Sequence, residues 1–235
     1  MQPQSLEGIK EHEGKISLRA FVSPCLTWPV VLIIFAILMA KIKSNKNGTK
    51  KETIIEAAAK LFYKKGFNAT SMRDLAKHVG VEAASLYNHI QSKSQMLQEI
   101  CFDIANIFTA NIENIDNNGQ DSISKVEALL RFHIKQMVNH YENVYVSDRE
   151  WRHLTDPYLS NYQNQRRIYR KRFASIIQAG ISAKEIKEMD ASTAVLIMLH
   201  AISGIESWHR SKKRLNAELL EANMIMILIE GLRAV

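Results

Sequence analysis

Residues that interrupt helices are scarce in this chain of 235 residues, which has 9 glycines and 4 prolines and long stretches without a turn cluster. That scarcity argues against a sandwich or barrel and for an all-helical protein. Cysteine is scarcer still: Cys25 and Cys101 stand far apart, with no CxxC or Cys/His spacing. A disulfide scaffold and a zinc module are thereby excluded, and a reducing cytoplasm fits. GxGxxG, P-loop, HExxH and GxSxG signatures are all missing. The 8 histidines are scattered, and His133 and His140 make no metal site without further ligands. No enzyme activity, cofactor or metal is therefore expected. Asn47-Gly48-Thr49 matches a glycosylation sequon, but a cytosolic domain would never meet that machinery.

Charge is unevenly placed. Residues 39–98 carry 11 basic and 4 acidic side chains, whereas residues 1–38 carry 3 of each and residues 99–235 carry 17 of each. The whole net charge of +7 thus lies in one segment. Such a segment suits a polyanionic partner, either nucleic acid or an anionic membrane surface. A merely solvated basic face is the blander alternative.

Residues 26–40, LTWPVVLIIFAILMA, form an uncharged apolar run followed by Lys41, Lys43 and Lys46. A spanning helix needs about 20 such residues, so the run is short, and the charge-balanced residues before it do not make a signal peptide. Three readings stand. The run anchors the basic domain on the cytoplasmic side of a membrane, or it packs on the domain, or translation naturally begins at Met39. The last is favoured, because Met39 opens a short basic arm leading straight into a helix. On that reading residues 1–38 are an extension, and the protein is cytoplasmic.

From Lys50 the pattern is clean. Ile54, Ala58, Leu61 and Phe62 form one stripe of an amphipathic helix, and Gly66 is placed to end it. Ser71, with Asp74 three residues later, is a capping-box pattern opening a second, short helix. Gly80 permits a sharp turn before a third short helix, EAASLYNHI, from Glu82 to Ile90. Two short helices joined by a tight turn behind a longer basic helix form the arrangement that seats the last helix in a DNA major groove. An ordinary helical hairpin would carry the same helices. The small residues Ala83, Ala84 and Ser85, and the confinement of the charge excess to this segment, weigh against it.

The stretch TIIEAAAKLFYKKGFNATSMRDLAKHVGVEAASLYNHIQSKSQML resembles the N-terminal domain of the TetR family of transcriptional regulators almost position by position. The resemblance implies an all-α protein: a three-helix DNA-binding domain over residues 39–92, then a helical effector-binding and dimerisation domain over residues 93–235. It also implies a dimer on a palindromic operator, released by a small molecule. Carried over by position, Thr70 and Ser71 cap the second helix against a phosphate. Tyr87, His89 and Lys93 grip the DNA backbone, and residues 82–88 face base edges. Ala83 and Ala84 stand where the family more often has a basic residue and a glycine. Readout then leans on thymine methyls for these alanines and on hydrogen bonds from Ser85 and Asn88, with Glu82 at the helix start.

Beyond Ser92 the period continues through segments near 92–118, 122–143, 148–179, 189–212 and 216–233. Met224 to Ile229, MIMILI, is apolar on more than one face, so one face belongs on the core and another on a partner chain. Ala194, Val195, Met198, Leu199 and Ile202 give the preceding helix a matching stripe, and the family resemblance implies a four-helix dimer interface from these last two helices. A fully intramolecular core is the alternative. The middle helices should enclose the effector, with Phe108, Phe132, Met137, Tyr141, Trp151, Tyr158 and Tyr162 as candidate lining, although such residues are more often ordinary core than ligand contacts. REWRHL and RRIYRKR loosely resemble family members that sense acyl-CoA thioesters, and arginines there could hold CoA phosphates. A solvated helix face is the favoured reading of them. The competing functions are a membrane-tethered regulator and a small-molecule binding or scaffold protein without DNA function.

Overall fold

Local chemistry sets most of the helix ends. The computed structural model describes residues 50–211 and 216–233, so the apolar run at 26–40, Met39 and the basic arm after it lie outside the described residues. Helix α1 (Lys50–Lys65) buries Ile54, Ile55, Ala58, Ala59, Leu61 and Phe62, the anticipated stripe. It stops at Gly66, whose φ of 82° favours a residue without a Cβ. Helix α2 (Met72–Val79) starts on Ser71 and ends at Gly80, φ 79°. Helix α3 (Ala83–Tyr87) follows.

Helix α4 (Lys93–Asp116) is capped by Ser92, whose side chain accepts from the Gln95 amide. After it come α5 (Ser122–Asn139), α6 (Tyr141–Arg149) and a short 3-10 turn (Trp151–His153). Helices α7 (Tyr158–Ser182), α8 (Ala191–Ser203), α9 (Ile205–Arg210) and α10 (Ala217–Glu230) complete the chain. Among the described residues there is no strand, only an isolated antiparallel bridge between Ile186 and Arg233. None of these helices is long and apolar enough to cross a membrane.

Three of the segments expected as single helices are divided. His140, at φ −126° and ψ 37°, separates α5 from α6. Pro157 blocks helix continuation from the 150s, so the long helix begins only at Tyr158. Gly204 separates α8 from α9. The hydrophobic period runs on across each break, which is why periodicity alone reads them as continuous.

Packing gathers the side chains into two hydrophobic cores. The first joins Phe62, Phe67, Leu75, Leu86 and Ile90 to Met96, Leu97, Ile100 and Cys101 of α4, and also takes in Val146, Leu154 and Tyr162. The second contains Ile112, Ile115, Leu129, Leu130, Phe173, Ile177, Met198 and Ile229, among others. Helix α4 feeds both cores and so ties the N-terminal helices to the bundle. At the far end Gly180 lets α7 pass close to α5 and the loop after α7: an added Cβ would lie 2.8 Å from Ser122 Cβ and 2.6 Å from Ile186 Cδ1.

Candidate nucleic-acid interface and effector region

The N-terminal end of α2 is closed by its own side chains. Asp74 Oδ2 accepts from the Ser71 amide at 3.0 Å and from its hydroxyl at 2.6 Å, while Ser71 Oγ accepts from the Asp74 amide at 3.1 Å. Lys65 Nζ adds an ion pair to Asp74 at 3.1 Å. These bonds, led by the Ser71 hydroxyl, hold the Asp74 carboxyl well below the usual carboxylate range. Thr70 is 2% exposed, and its hydroxyl donates to the Gly66 carbonyl at 2.9 Å. Its role is inside the corner between α1 and α2.

Helix α3 is anchored by one fully buried side chain, Leu86. Around that anchor Glu82, Ala84, Ser85, Tyr87, Asn88 and His89 are exposed and Ala83 is half-buried. Tyr87 is 52% exposed, which places its ring outside the core. A short helix held from beneath by a leucine and presenting small and polar groups outward is shaped to approach a groove floor. Arg73 and Lys77 of α2 are exposed as well. Sequence reading did not single them out, although their positions opposite Leu75 and Ala76 on the helix would have disclosed it.

Lys93, expected on a phosphate, is engaged elsewhere. Its ammonium donates to the Phe67 carbonyl at 2.7 Å, lies 3.5 Å from the Asn68 carbonyl, and sits 4.3 Å from the centre of the Phe67 ring.

The candidate effector residues fall into three groups. Phe108 packs on Phe132 (5.3 Å between ring centres), His133 (4.5 Å) and Tyr169 (6.0 Å). Desolvation pushes the His133 pKa down to about 3, so its ring is neutral near pH 7 and can accept from the Tyr169 hydroxyl at 2.6 Å. Tyr141 stacks on His209 at 4.1 Å, and the His209 ring donates through Nε2 to the Met137 carbonyl at 2.8 Å. Trp151, Tyr158 and Tyr162 belong to a third group with Phe102. In it Tyr162 donates to the Ser147 carbonyl at 2.8 Å, and the Arg166 guanidinium lies 5.7 Å from the Trp151 and Tyr162 rings.

A cavity of about 180 Å³ lies between α4 and α7, and none of those seven candidate residues lines it. Its walls are Thr109, Ile112 and Glu113 on one side and Asn161, Asn164, Gln165, Ile168, Tyr169 and Arg172 on the other. Tyr169 connects this groove to the Phe108 group. Two of the four arginines of the basic stretch are committed to ion pairs: Arg166 to Asp148 at 2.7 Å, and Arg172 to Glu113 and Asp116 at 3.1 Å each. Burial pushes the Cys101 thiol up to about 12, so it is not a nucleophile near neutral pH. Among the described residues no group of His, Cys, Asp or Glu could hold a metal ion.

Helices α8 and α10 leave large apolar side chains uncovered. Leu196 and Ile197 are 54% and 59% exposed, and Met226 and Ile227 are 58% and 66% exposed, with Leu219 near the start of α10 at 47%.

Comparisons with known proteins agree with this geometry. The family model described as "Bacterial regulatory proteins, tetR family" matches residues 54–100, and that described as "Tetracyclin repressor-like, C-terminal domain" matches residues 119–232. The HTH-type transcriptional repressor KstR2 of Mycolicibacterium smegmatis is 21% identical over 196 residues, covering 83% of this chain and 96% of the relative. KstR2 of Rhodococcus jostii is 25% identical over 194 residues, covering 80% and 93%. Among solved structures, the ketosteroid transcriptional regulator KstR2 of Mycobacterium tuberculosis superposes with a TM-score of 0.75 at 20% identity, covering 80% of this chain and 97% of that one. AibR, solved with isovaleryl coenzyme A and operator DNA, superposes with a TM-score of 0.69 at 21% identity, covering 77% and 98%.

Proposed function

The chain belongs to the TetR family of bacterial regulatory proteins, and we propose that it is a homodimeric, ligand-responsive repressor acting in the cytoplasm on a palindromic operator. The DNA-binding domain is assigned to residues 39–92 and the effector-binding and dimerisation domain to residues 93–235. The observation that carries the reading is α3: a helix pinned by buried Leu86 that turns Ala84, Ser85 and Asn88 to solvent, within the segment that holds the whole charge excess. Ser85 and Asn88 are assigned to base edges, together with Glu82, Ala83 and Ala84. Tyr87 and His89 are assigned to the DNA backbone, and Ser71 to the phosphate nearest the start of α2. Thr70 supports this surface from within the corner.

Dimerisation is assigned to the uncovered faces of α8 and α10. A two-fold axis there sets the two copies of α3 about one helical turn of DNA apart. The relatives named as repressors support the sign of regulation.

The effector is assigned to the bundle, as a small hydrophobic or acyl-CoA-like molecule. Support comes from the groove between α4 and α7, from the Phe108–Phe132 group behind it, and from the isovaleryl coenzyme A in the AibR structure. Binding there tilts α4, and the release of DNA equals the effector's preference for the tilted state.

The test is a gel-shift titration of DNA flanking the gene, over a range of salt, joined to mass spectrometry of ligand carried through purification. Steeply salt-dependent binding with protection of two half-sites, weakened by the recovered ligand, is expected. Absence of salt-dependent binding would favour a binding protein without DNA function. A tethered regulator would instead depend on residues 26–40, and fractionation of cells expressing the full chain distinguishes it.

A further inference from the structure

The corner between α1 and α2 is held from two directions. Phe67 is 7% exposed and meets Phe62 edge-on at 5.3 Å. From α4, the Lys93 ammonium lies over its ring and donates to its carbonyl. From the 3-10 turn between α6 and α7, the His153 ring stacks on it at 5.2 Å and 18°. Glu150 stands behind that stack, 3.3 Å from His153 Nε2, and its Oε1 lies 3.9 Å from where a Cβ on Gly66 would be. Leu154, the next residue along, is in the same core as Leu75 and Leu86. Thus the bundle grips the corner between α1 and α2 at Phe67, through two side chains from different elements, beside the Tyr63 contact of α1 with Tyr141 and Tyr145.

We propose that Lys93 and His153 are positioning residues for DNA binding: they clamp the Phe67 corner, and Lys93 is not a phosphate ligand. Two of the three ammonium N–H groups face backbone oxygens at the end of the turn after α1, and the shorter bond adds a charge-assisted donor to the Phe67 carbonyl, which also accepts from the Thr70 amide. The short bond to the Phe67 carbonyl and the place over its ring fix the ammonium against the corner. The His153 stack brings the α6–α7 connection into the same contact. A shift of that connection then reaches the start of α2 without passing along α4. The proposal rests on the regulator reading for its consequence in DNA binding, but its geometry is independent of that reading.

Salt dependence separates positioning from phosphate contact. Removing one phosphate ligand flattens the slope of log affinity against log salt by about 0.9. Lys93→Met is expected to weaken binding to the upstream DNA by about tenfold at every salt concentration, with the slope unchanged. A slope flattened by about 0.9, or unchanged affinity, overturns the assignment of Lys93.

His153→Ala is expected to weaken binding about threefold, with the slope unchanged and the loss restored by His153→Phe, which keeps the stacked ring. Failure of the phenylalanine to restore it overturns the assignment of His153. Hydrogen exchange of the Thr70 amide, which donates to the Phe67 carbonyl at 3.2 Å, reads the clamp without DNA. Faster exchange in Lys93→Met and His153→Ala, with helix content retained, supports the clamp; unchanged exchange refutes it. Wild-type protein that binds no DNA at any salt would sink the regulator reading while the exchange measurement still decides the clamp.

Discussion

Ile227→Glu tests the dimer surface most directly. Ile227 is 66% exposed in the single chain, so the substitution removes little from the subunit's own core. Burying an isoleucine side chain fully is worth roughly 1.5–3 kcal/mol, and covering the exposed two-thirds is therefore worth about 1–2 kcal/mol. Two-fold symmetry doubles this to about 2–4 kcal/mol per dimer, or roughly 30- to 700-fold in the dissociation constant. Carrying a carboxylate into the apolar interface costs more on top, so the upper end is expected. Sedimentation equilibrium should show a monomer at concentrations where the wild type is a dimer. The monomer should stay folded, with native helix content and cooperative thermal unfolding, because Ile225 and Ile229, at 5% and 3% exposure, make the core contacts of α10. DNA binding should fall with the loss of the second half-site. An Ile227→Glu protein that dimerises with wild-type affinity would refute the interface, and one that unfolds outright would refute the claim that this face is free of the subunit's core.

Leu86→Ala should cost about 2–5 kcal/mol, because Leu86 is fully buried and its truncation leaves a cavity under α3; thermal denaturation measures it, and a loss below 1 kcal/mol would contradict the anchoring role. Ser85→Ala and Asn88→Ala should lower operator affinity by about 1–3 kcal/mol each while leaving binding to random DNA unchanged, as read in competition gel shifts. Arg73→Gln should flatten the salt slope by about 0.9 if this exposed side chain meets a phosphate. His133 supplies a pH signature: burial pushes its folded pKa down to about 3, below the 6.5 of a solvated histidine, so the unfolded chain binds the extra proton between those values. Stability is then full above about pH 6.5 and declines as pH falls toward 3, and His133→Gln should remove that part of the decline in denaturant titrations at pH 5 and 7.5.

The helix-turn-helix was legible because its signals are local. Gly66 and Gly80 both adopt the left-handed conformation their positions suggested, and Ser71 with Asp74 forms both bonds of the capping box. Each of these is decided within a few residues of chain. The effector residues were not legible in the same way. Helical spacing of Phe108, Tyr141 and Tyr162 says that each faces inward, but not which neighbour it meets. The three end in separate aromatic groups, joined to Tyr169, His209 and Phe102 respectively. Lys93 shows the same boundary from the other side: its position in the motif is local information, while its partner is a carbonyl 26 residues earlier in the chain. Amides such as Asn161 and Gln165, which line the groove, look like any solvated helix face until α4 is laid beside them.

Helix α4 explains how a change in the bundle could matter to the DNA-binding helices. Its 24 residues span about 36 Å at 1.5 Å per residue. Met96 to Cys101 are fixed in the first core and Ile112 and Ile115 in the second, so the helix cannot slide freely past either. A tilt of about 5° about one end displaces the other by about 3 Å. Lys93 is the first residue of this helix and is bonded to the corner before α2, so displacement there is passed on to the helix-turn-helix and not absorbed in a flexible link. In the proposed dimer, two recognition helices that must meet grooves about 34 Å apart would not tolerate such a shift in each subunit without losing contacts. Only about 1.4 kcal/mol of effector preference for the tilted state weakens operator binding tenfold. That is less than one buried side chain contributes to either core, so the effector proposed for the groove beside Thr109 and Tyr169 needs only modest contacts to supply it.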